Sequence, residues 1–242
     1  MRLAVIFPAF QTIVRVMRAA RVAPGISRVR NNRLQALMSN PEIPSRLLKK
    51  RTRHTRWLAV LLIPLIIFAA PRARPEWIND TFEVLGIFCL VVCLVGRGWS
   101  SIYIAGRKDT ELVQSGPFSV VRNPLYVFSF IGLCGIGLIS EMVTVLIAAV
   151  TIFVLYYCVV VAREEAYLSR LHGDAFASYL AHVPRWIPDF SKWRDISHLE
   201  VEPRRIFIHL RDSSLFFLAF MFSELLEALR AAHVLKPLFV LP

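Results

Sequence analysis

The chain has 242 residues, 56% of them hydrophobic and 19% charged, with a formal net charge of +12. A charged fraction below the roughly 25% of ordinary soluble domains, with the apolar residues gathered into blocks, excludes a typical water-soluble globule. Positive charge flanks those blocks and no recognition motif goes with it, so nucleic acid is not an expected partner.

Residues 1–56 form a basic segment holding thirteen Arg or Lys and one acid, Glu42, which the positive-inside rule assigns to the cytoplasm. Within it, residues 1–22 fit either a helix lying on the membrane, with Leu3, Ile6, Phe7, Phe10, Val14 and Met17 on one side, or a disordered basic tail. The Arg-rich start also resembles an organelle transit peptide, whereas no secretory signal is expected. Residues 57–161 read as a transmembrane core. Trp57 to Ala70, Val84 to Gly96 continuing to Ala105, Pro124 to Ser140 and Met142 to Val161 each approach the length that crosses about 30 Å of hydrocarbon.

The last two runs are joined across Ser140 and Glu141, which predicts a tight helical hairpin. Ser129, Gly132, Gly135 and Gly137 would admit a close neighbour. Cys89, Cys93, Cys134 and Cys158 all fall inside apolar runs and read as buried small hydrophobes, with no metal site expected. Arg72 and Arg74, balanced by Glu76, Asp80 and Glu83, suit an outer loop. The loop 106–123 and the chain after Val161 return to the basic, cytoplasmic side of an inner (plasma) membrane. Residues 162–212 read as a wet helical and loop segment, with Gly173 as a C-cap and Asp174 opening a second short helix that closes at Val183-Pro184-Arg185. Residues 213–242 hold a further hydrophobic helix, spanning or re-entrant. The predicted class is an all-α polytopic integral membrane helical bundle of four to five transmembrane helices with a cytoplasmic cofactor pocket.

The chemistry concentrates at the junction Leu112 to Tyr126. Ser115, Gly116 and Pro117 are turn formers, Asn123 suits an N-cap, and Pro124 suits the first helical position. A helix therefore starts at the water boundary with its unpaired N–H groups aimed into the loop. Glu164 and Glu165 leave the fourth apolar run beside Arg163. Alone they read as a charge cluster marking the membrane boundary. Arg122, Asn123 and Tyr126 reach the same boundary, and Phe118, Tyr167 and Trp186 add aromatic surface. Carboxylates with aromatic faces suit a sulfonium or ammonium ligand, and Arg with helix N–H groups suits its carboxylate. S-adenosylmethionine carries all of these groups.

Leu112-Val113, Gly116, Phe118, Arg122-Asn123-Pro124 and Tyr126, then a membrane hairpin, then Glu164-Glu165, Leu168, Gly173, Phe176, Tyr179 and Val183-Pro184, resemble the isoprenylcysteine carboxyl methyltransferase family. The phosphatidylethanolamine N-methyltransferases are wider relatives, and the match covers about residues 84–190. The resemblance implies an integral-membrane methyltransferase that binds S-adenosylmethionine through Leu112, Val113, Gly116, Phe118, Asn123, Pro124, Tyr126 and Glu164. The family usually has His where this chain has Asn123, and often Tyr where it has Phe118. An Arg common one turn before the acids falls at Val160 here, leaving Arg163 as its substitute.

The expected reaction moves a methyl group to a hydrophobic or lipid-like acceptor within the bilayer. Arg122 or Arg163 would hold an anionic acceptor, and Glu165 would serve as base if the acceptor were an amine. A membrane sterol-type reductase using NADPH and a non-catalytic lipid-binding protein are the alternatives.

Overall fold

A computed structural model describes residues 67–107 and 111–241. The basic segment 1–56 and most of the run beginning at Trp57 lie outside the described residues. Among the described residues two short strands and five α-helices follow in the order β1 (Ala69–Pro71), α1 (Glu76–Ile104), α2 (Pro117–Val120), α3 (Pro124–Ile139), α4 (Val143–His182), α5 (Pro203–Ala231) and β2 (Phe239–Leu241), with a 3-10 turn at Phe190–Lys192 before α5.

Three of these helices are long and apolar enough to cross a membrane, and α3 is a shorter apolar helix beside them. The protein is an all-α integral membrane bundle. Many large apolar side chains face outward, among them Trp77, Phe88, Val95, Leu155 and Phe217, as a surface solvated by lipid requires. One end of the bundle, the loop end, carries the C-terminus of α1, the N-termini of α3 and α5 and the late turns of α4. The other end carries the Ser140–Met142 turn.

The helices pair through small residues. On α1, Gly86, Leu90, Cys93, Gly96 and Ser100 are buried on one stripe. A Cβ added at Gly135 of α3 would meet the Gly86 carbonyl at 2.8 Å, and one at Gly132 would run into Cys93. The small residues expected to admit a neighbour therefore admit α1, and Gly137 packs against Leu146 across the hairpin.

Three boundaries differ from the sequence reading. The first apolar run was expected to stay helical to Ala70, yet Ala69–Pro71 is a strand paired in parallel with Phe239–Leu241, sealing Ala69 against Met142 and Val145. The second span starts at Glu76, because Pro75 ends the preceding extended chain and an acid suits a first helical turn. Its polar first turns project beyond the hydrocarbon without breaking the backbone ladder. The C-terminal helix begins at Pro203, ten residues before the apolar run, since Pro fits the first helical position. Gly173 agrees with the sequence reading: with φ 52° and ψ −126° it is non-helical and divides Val143–His182 into two helices that meet at a kink.

Candidate functional site

At the loop end the two motifs, 40 residues apart in sequence, come together. The strap 183–195, which leaves α4, crosses the loop that precedes α3. Backbone bonds fasten it: Arg122 N–H donates to the Pro184 carbonyl at 2.9 Å, Asp189 N–H to Val120 at 2.9 Å, and Gly116 N–H to Arg194 at 2.7 Å. The Tyr179 hydroxyl donates to the Phe118 carbonyl at 2.7 Å, and the Tyr103 hydroxyl donates to the Asp195 carboxylate at 2.6 Å. The latter bond holds the Asp195 carboxyl below its usual range. Trp99 stacks on Trp193 at 5.4 Å.

The adjacent acids of α4 diverge, as successive helical residues must. Glu164 accepts a hydrogen bond from the Tyr126 hydroxyl at 2.8 Å, joining α4 to the first turn of α3. Glu165 is buried and meets two guanidiniums. Arg122 reaches Oε1 at 3.0 Å; Arg185 donates Nε to Oε1 at 3.0 Å and Nη2 to Oε2 in a forked pair. The Arg122 and Glu165 side chains are only 14% and 10% exposed, an interior pair, while Arg185 closes on it from the rim at 36% exposure. Beside Tyr126 lies an aromatic group from α4: Tyr157 at 4.8 Å, stacked on Phe153 at 4.1 Å, with Tyr156 edge-on at 5.2 Å.

The structure brings together Arg122, Asn123, Pro124, Tyr126, Glu164 and Glu165. Arg163 is exposed on α4; the guanidiniums that meet Glu165 are Arg122 and Arg185. Asn123 makes no side-chain cap. Its amide instead donates to the Arg185 carbonyl at 3.4 Å, tying the start of α3 to the strap. Phe118 offers no open aromatic face: it is buried with Tyr103 and Val113. Leu112 packs against Phe176, Tyr179 and Val183, and Gly116 supports the turn with φ 58°. Tyr167 is exposed.

Sequence reasoning missed Arg185, Tyr156, Tyr157 and Phe153. Tyr157 was accessible to it, since residues seven apart share a helix face and Glu164 is seven residues on. Arg185 carried no such signal, because its partners become neighbours only when the strap folds back. A cavity of roughly 240 Å³ lies at the opposite end of the bundle, beside Ser140, Glu141, Glu227 and Arg230, and belongs to a different surface.

Three helices long and apolar enough to span a membrane, with a polar, aromatic-lined cluster at one end, define a polytopic membrane protein. A phospholipid methyltransferase family model matches residues 84–175, which hold the α1–α3–α4 core, the loop and both acids. The chain is 32% identical over 203 residues to the nickel-cobalt-cadmium resistance protein NccN of Alcaligenes xylosoxydans xylosoxydans, covering 82% of this chain and 95% of that one. It is 30% identical over 194 residues to the cobalt-zinc-cadmium resistance protein CzcN of Cupriavidus metallidurans, covering 78% and 89%. Protein-S-isoprenylcysteine O-methyltransferase of Schizosaccharomyces pombe is 32% identical over 125 residues, covering 46% of this chain and 52% of that protein. No solved structure gives a significant match. The chain belongs to the membrane methyltransferase family that includes the phospholipid and isoprenylcysteine methyltransferases, together with NccN and CzcN.

Proposed function

We propose that this protein transfers a methyl group from S-adenosylmethionine to a hydrophobic or lipid-like acceptor at the loop end of the bundle. The observation that carries the reading is the Tyr126–Glu164 bond, which places a carboxylate and the rings of Tyr126, Tyr157 and Phe153 at one mouth. A carboxylate with aromatic faces is the donor set that a sulfonium requires, so these residues fit the cofactor. When bound, S-adenosylmethionine supplies an electrophilic methyl group.

Glu164 and Tyr126 hold the positive end of the ligand. Leu112, Val113, Gly116, Phe118, Asn123 and Pro124 build the wall that orients it, mostly through the backbone path they impose. Arg122 and Arg185 fix the loop and strap around Glu165, whose oxygens are already engaged by guanidinium donors. A carboxylate or thiolate acceptor needs no proton removed, so positioning carries most of the catalysis. Glu165 serves that positioning better than it would serve as a base.

Calorimetry on detergent-solubilised protein with S-adenosylmethionine, its demethylated product and NADPH tests the reading. Binding of the first two and not the third is expected. Glu164→Gln should weaken S-adenosylmethionine binding about tenfold, the value of one hydrogen bond to a charged partner, with little change in melting temperature. Unchanged affinity would return Glu164 to a boundary marker.

We also place the loop end in the cytoplasm, on the charge pattern of the chain. Reporter fusions after Glu111 and after Phe190 should give cytoplasmic signals, and one at Asn79 the opposite. Disagreement between the first two would break the α3–α4 hairpin assignment. The relatives named for metal resistance supply a cellular setting: a strain lacking this protein is expected to lose tolerance to nickel, cobalt or cadmium. Wild type should restore it and Glu164→Gln should not.

A further inference from the structure

Arg97 lies within the apolar length of α1, on the side of α3 that faces α1 and α5. Its Nε donates to Ser213 Oγ of α5 at 2.9 Å, and its Nη1 donates to Ser129 Oγ of α3 and to the Leu125 carbonyl at 3.5 Å. Both hydroxyls spend their own hydrogens on carbonyls four residues back, Ser129 on Leu125 at 2.6 Å and Ser213 on His209 at 2.8 Å. Their lone pairs are thereby fixed toward the guanidinium. The Phe216 ring lies beneath it at 5.7 Å.

All of these partners are neutral. No Asp or Glu among the described residues pairs with Arg97, and its Nη2 makes no hydrogen bond to the described residues while remaining unsealed from the surface. A guanidinium is charged at any physiological pH, and in hydrocarbon an unneutralised charge is expensive. Three hydroxyl and carbonyl contacts orient the fork without cancelling its charge.

The depth of the group says what can cancel it. Arg97 precedes the end of α1 at Ile104 by seven residues, about 10 Å at 1.5 Å per residue. Ser213 directly follows the exposed charged pair Arg211 and Asp212, which marks the loop-end boundary on α5. Ser129 is five residues into α3, about 8 Å. The three helices place the group between the loop-end boundary and two turns below it, within reach of a headgroup when a long cationic side chain extends toward the interface. Phosphate is the anion present at that level in every phospholipid leaflet, and its paired oxygens match the guanidinium fork.

We infer that Arg97, where α1, α3 and α5 meet, is a binding site for the phosphate of a membrane phospholipid. The serines aim the fork and Phe216 supports its face, while Nη2 takes the phosphate oxygen. The site is separated by α3 from Tyr126 and Glu164, and it stands whether or not methyl transfer is confirmed.

The test uses the full chain delipidated in maltoside detergent, with the thermal midpoint and the phospholipid retained in native mass spectrometry as readouts. Short-chain phosphatidylglycerol should raise the midpoint of the wild type. Inorganic phosphate at the same concentration and a galactosyl diacylglycerol, which lacks phosphate, should not. Arg97→Gln should weaken phosphatidylglycerol binding by about tenfold or more, Arg97→Lys by less, because the point charge survives without the fork. Ser213→Ala should lower the basal midpoint yet keep the lipid-induced rise, which a residue serving only as glue between helices would not show. Equal rises in wild type and Arg97→Gln would overturn the inference, as would a rise of equal size with the galactolipid. A rise reproduced by inorganic phosphate would reassign the site to a soluble anion and overturn the lipid.

Discussion

Glu165→Ala is expected to destabilise the protein by about 3 kcal/mol, near the lower end for removing one partner of a buried ion pair. The loss is large because two guanidiniums, Arg122 and Arg185, would stay in place with their shared counter-charge gone. Replacing Arg122 with Met should cost less, because Glu165 keeps its forked pair with Arg185. The double variant Arg122→Met with Glu165→Leu should recover part of the loss, since apolar side chains of similar volume can substitute for an interior ion pair. Methyl transfer should not recover with it, because Arg122 adjoins Asn123 and Pro124 at the start of α3. Thermal melts and activity measured on wild type, Arg122→Met, Glu165→Leu and the double variant decide the matter. Strictly additive stability losses would mean that Arg122 and Glu165 do not act as a unit.

Gly116→Ala should be comparably damaging for a different reason. With φ 58° and ψ −132°, Gly116 occupies backbone space that an L side chain enters only under strain, and a Cβ there would run into the Tyr103 ring. That ring cannot retreat cheaply, because its hydroxyl is tied to Asp195. Strain and overpacking together should cost about 3 kcal/mol and loosen the strap from the loop. Gly173→Ala is the matched control: the same substitution at φ 52° and ψ −126°, with nothing within 4 Å of the added atom. It should show the strain alone, about 1 to 2 kcal/mol. Equal losses at the two glycines would remove Tyr103 from the explanation.

The contrast between these residues shows what the sequence can carry. Helical spans were legible because hydrocarbon demands long uninterrupted apolar runs, and the α3–α4 hairpin because only Ser140 and Glu141 divide two of them. Pro124 announced the start of α3 through its missing N–H. The start of α1 at Glu76 was hidden, since residues that leave the bilayer are released from the apolar requirement while the helix continues. Pairing of β1 with β2 was hidden as well: it joins segments about 170 residues apart by backbone bonds that leave no side-chain pattern. At the site, Glu164 and Glu165 were visible as a pair, but which acid meets which partner depends on the 100° between successive helical positions and on where the strap crosses. That crossing also turned Asn123 from an expected cap into a strap contact.

The short length of α3 has a mechanical consequence. Its 16 residues span about 24 Å, less than the roughly 30 Å of a typical hydrocarbon layer. Glu164 stands 21 residues along α4 from Val143, about 32 Å from the opposite end of the hairpin. The Tyr126–Glu164 bond thus couples the top of a helix too short for the bilayer to a point on one long enough for it. The thickness of the hydrocarbon layer therefore decides how far this bond lies from the headgroups: a thicker layer brings acyl chains up to the carboxylate, and a thinner one leaves it level with the headgroups.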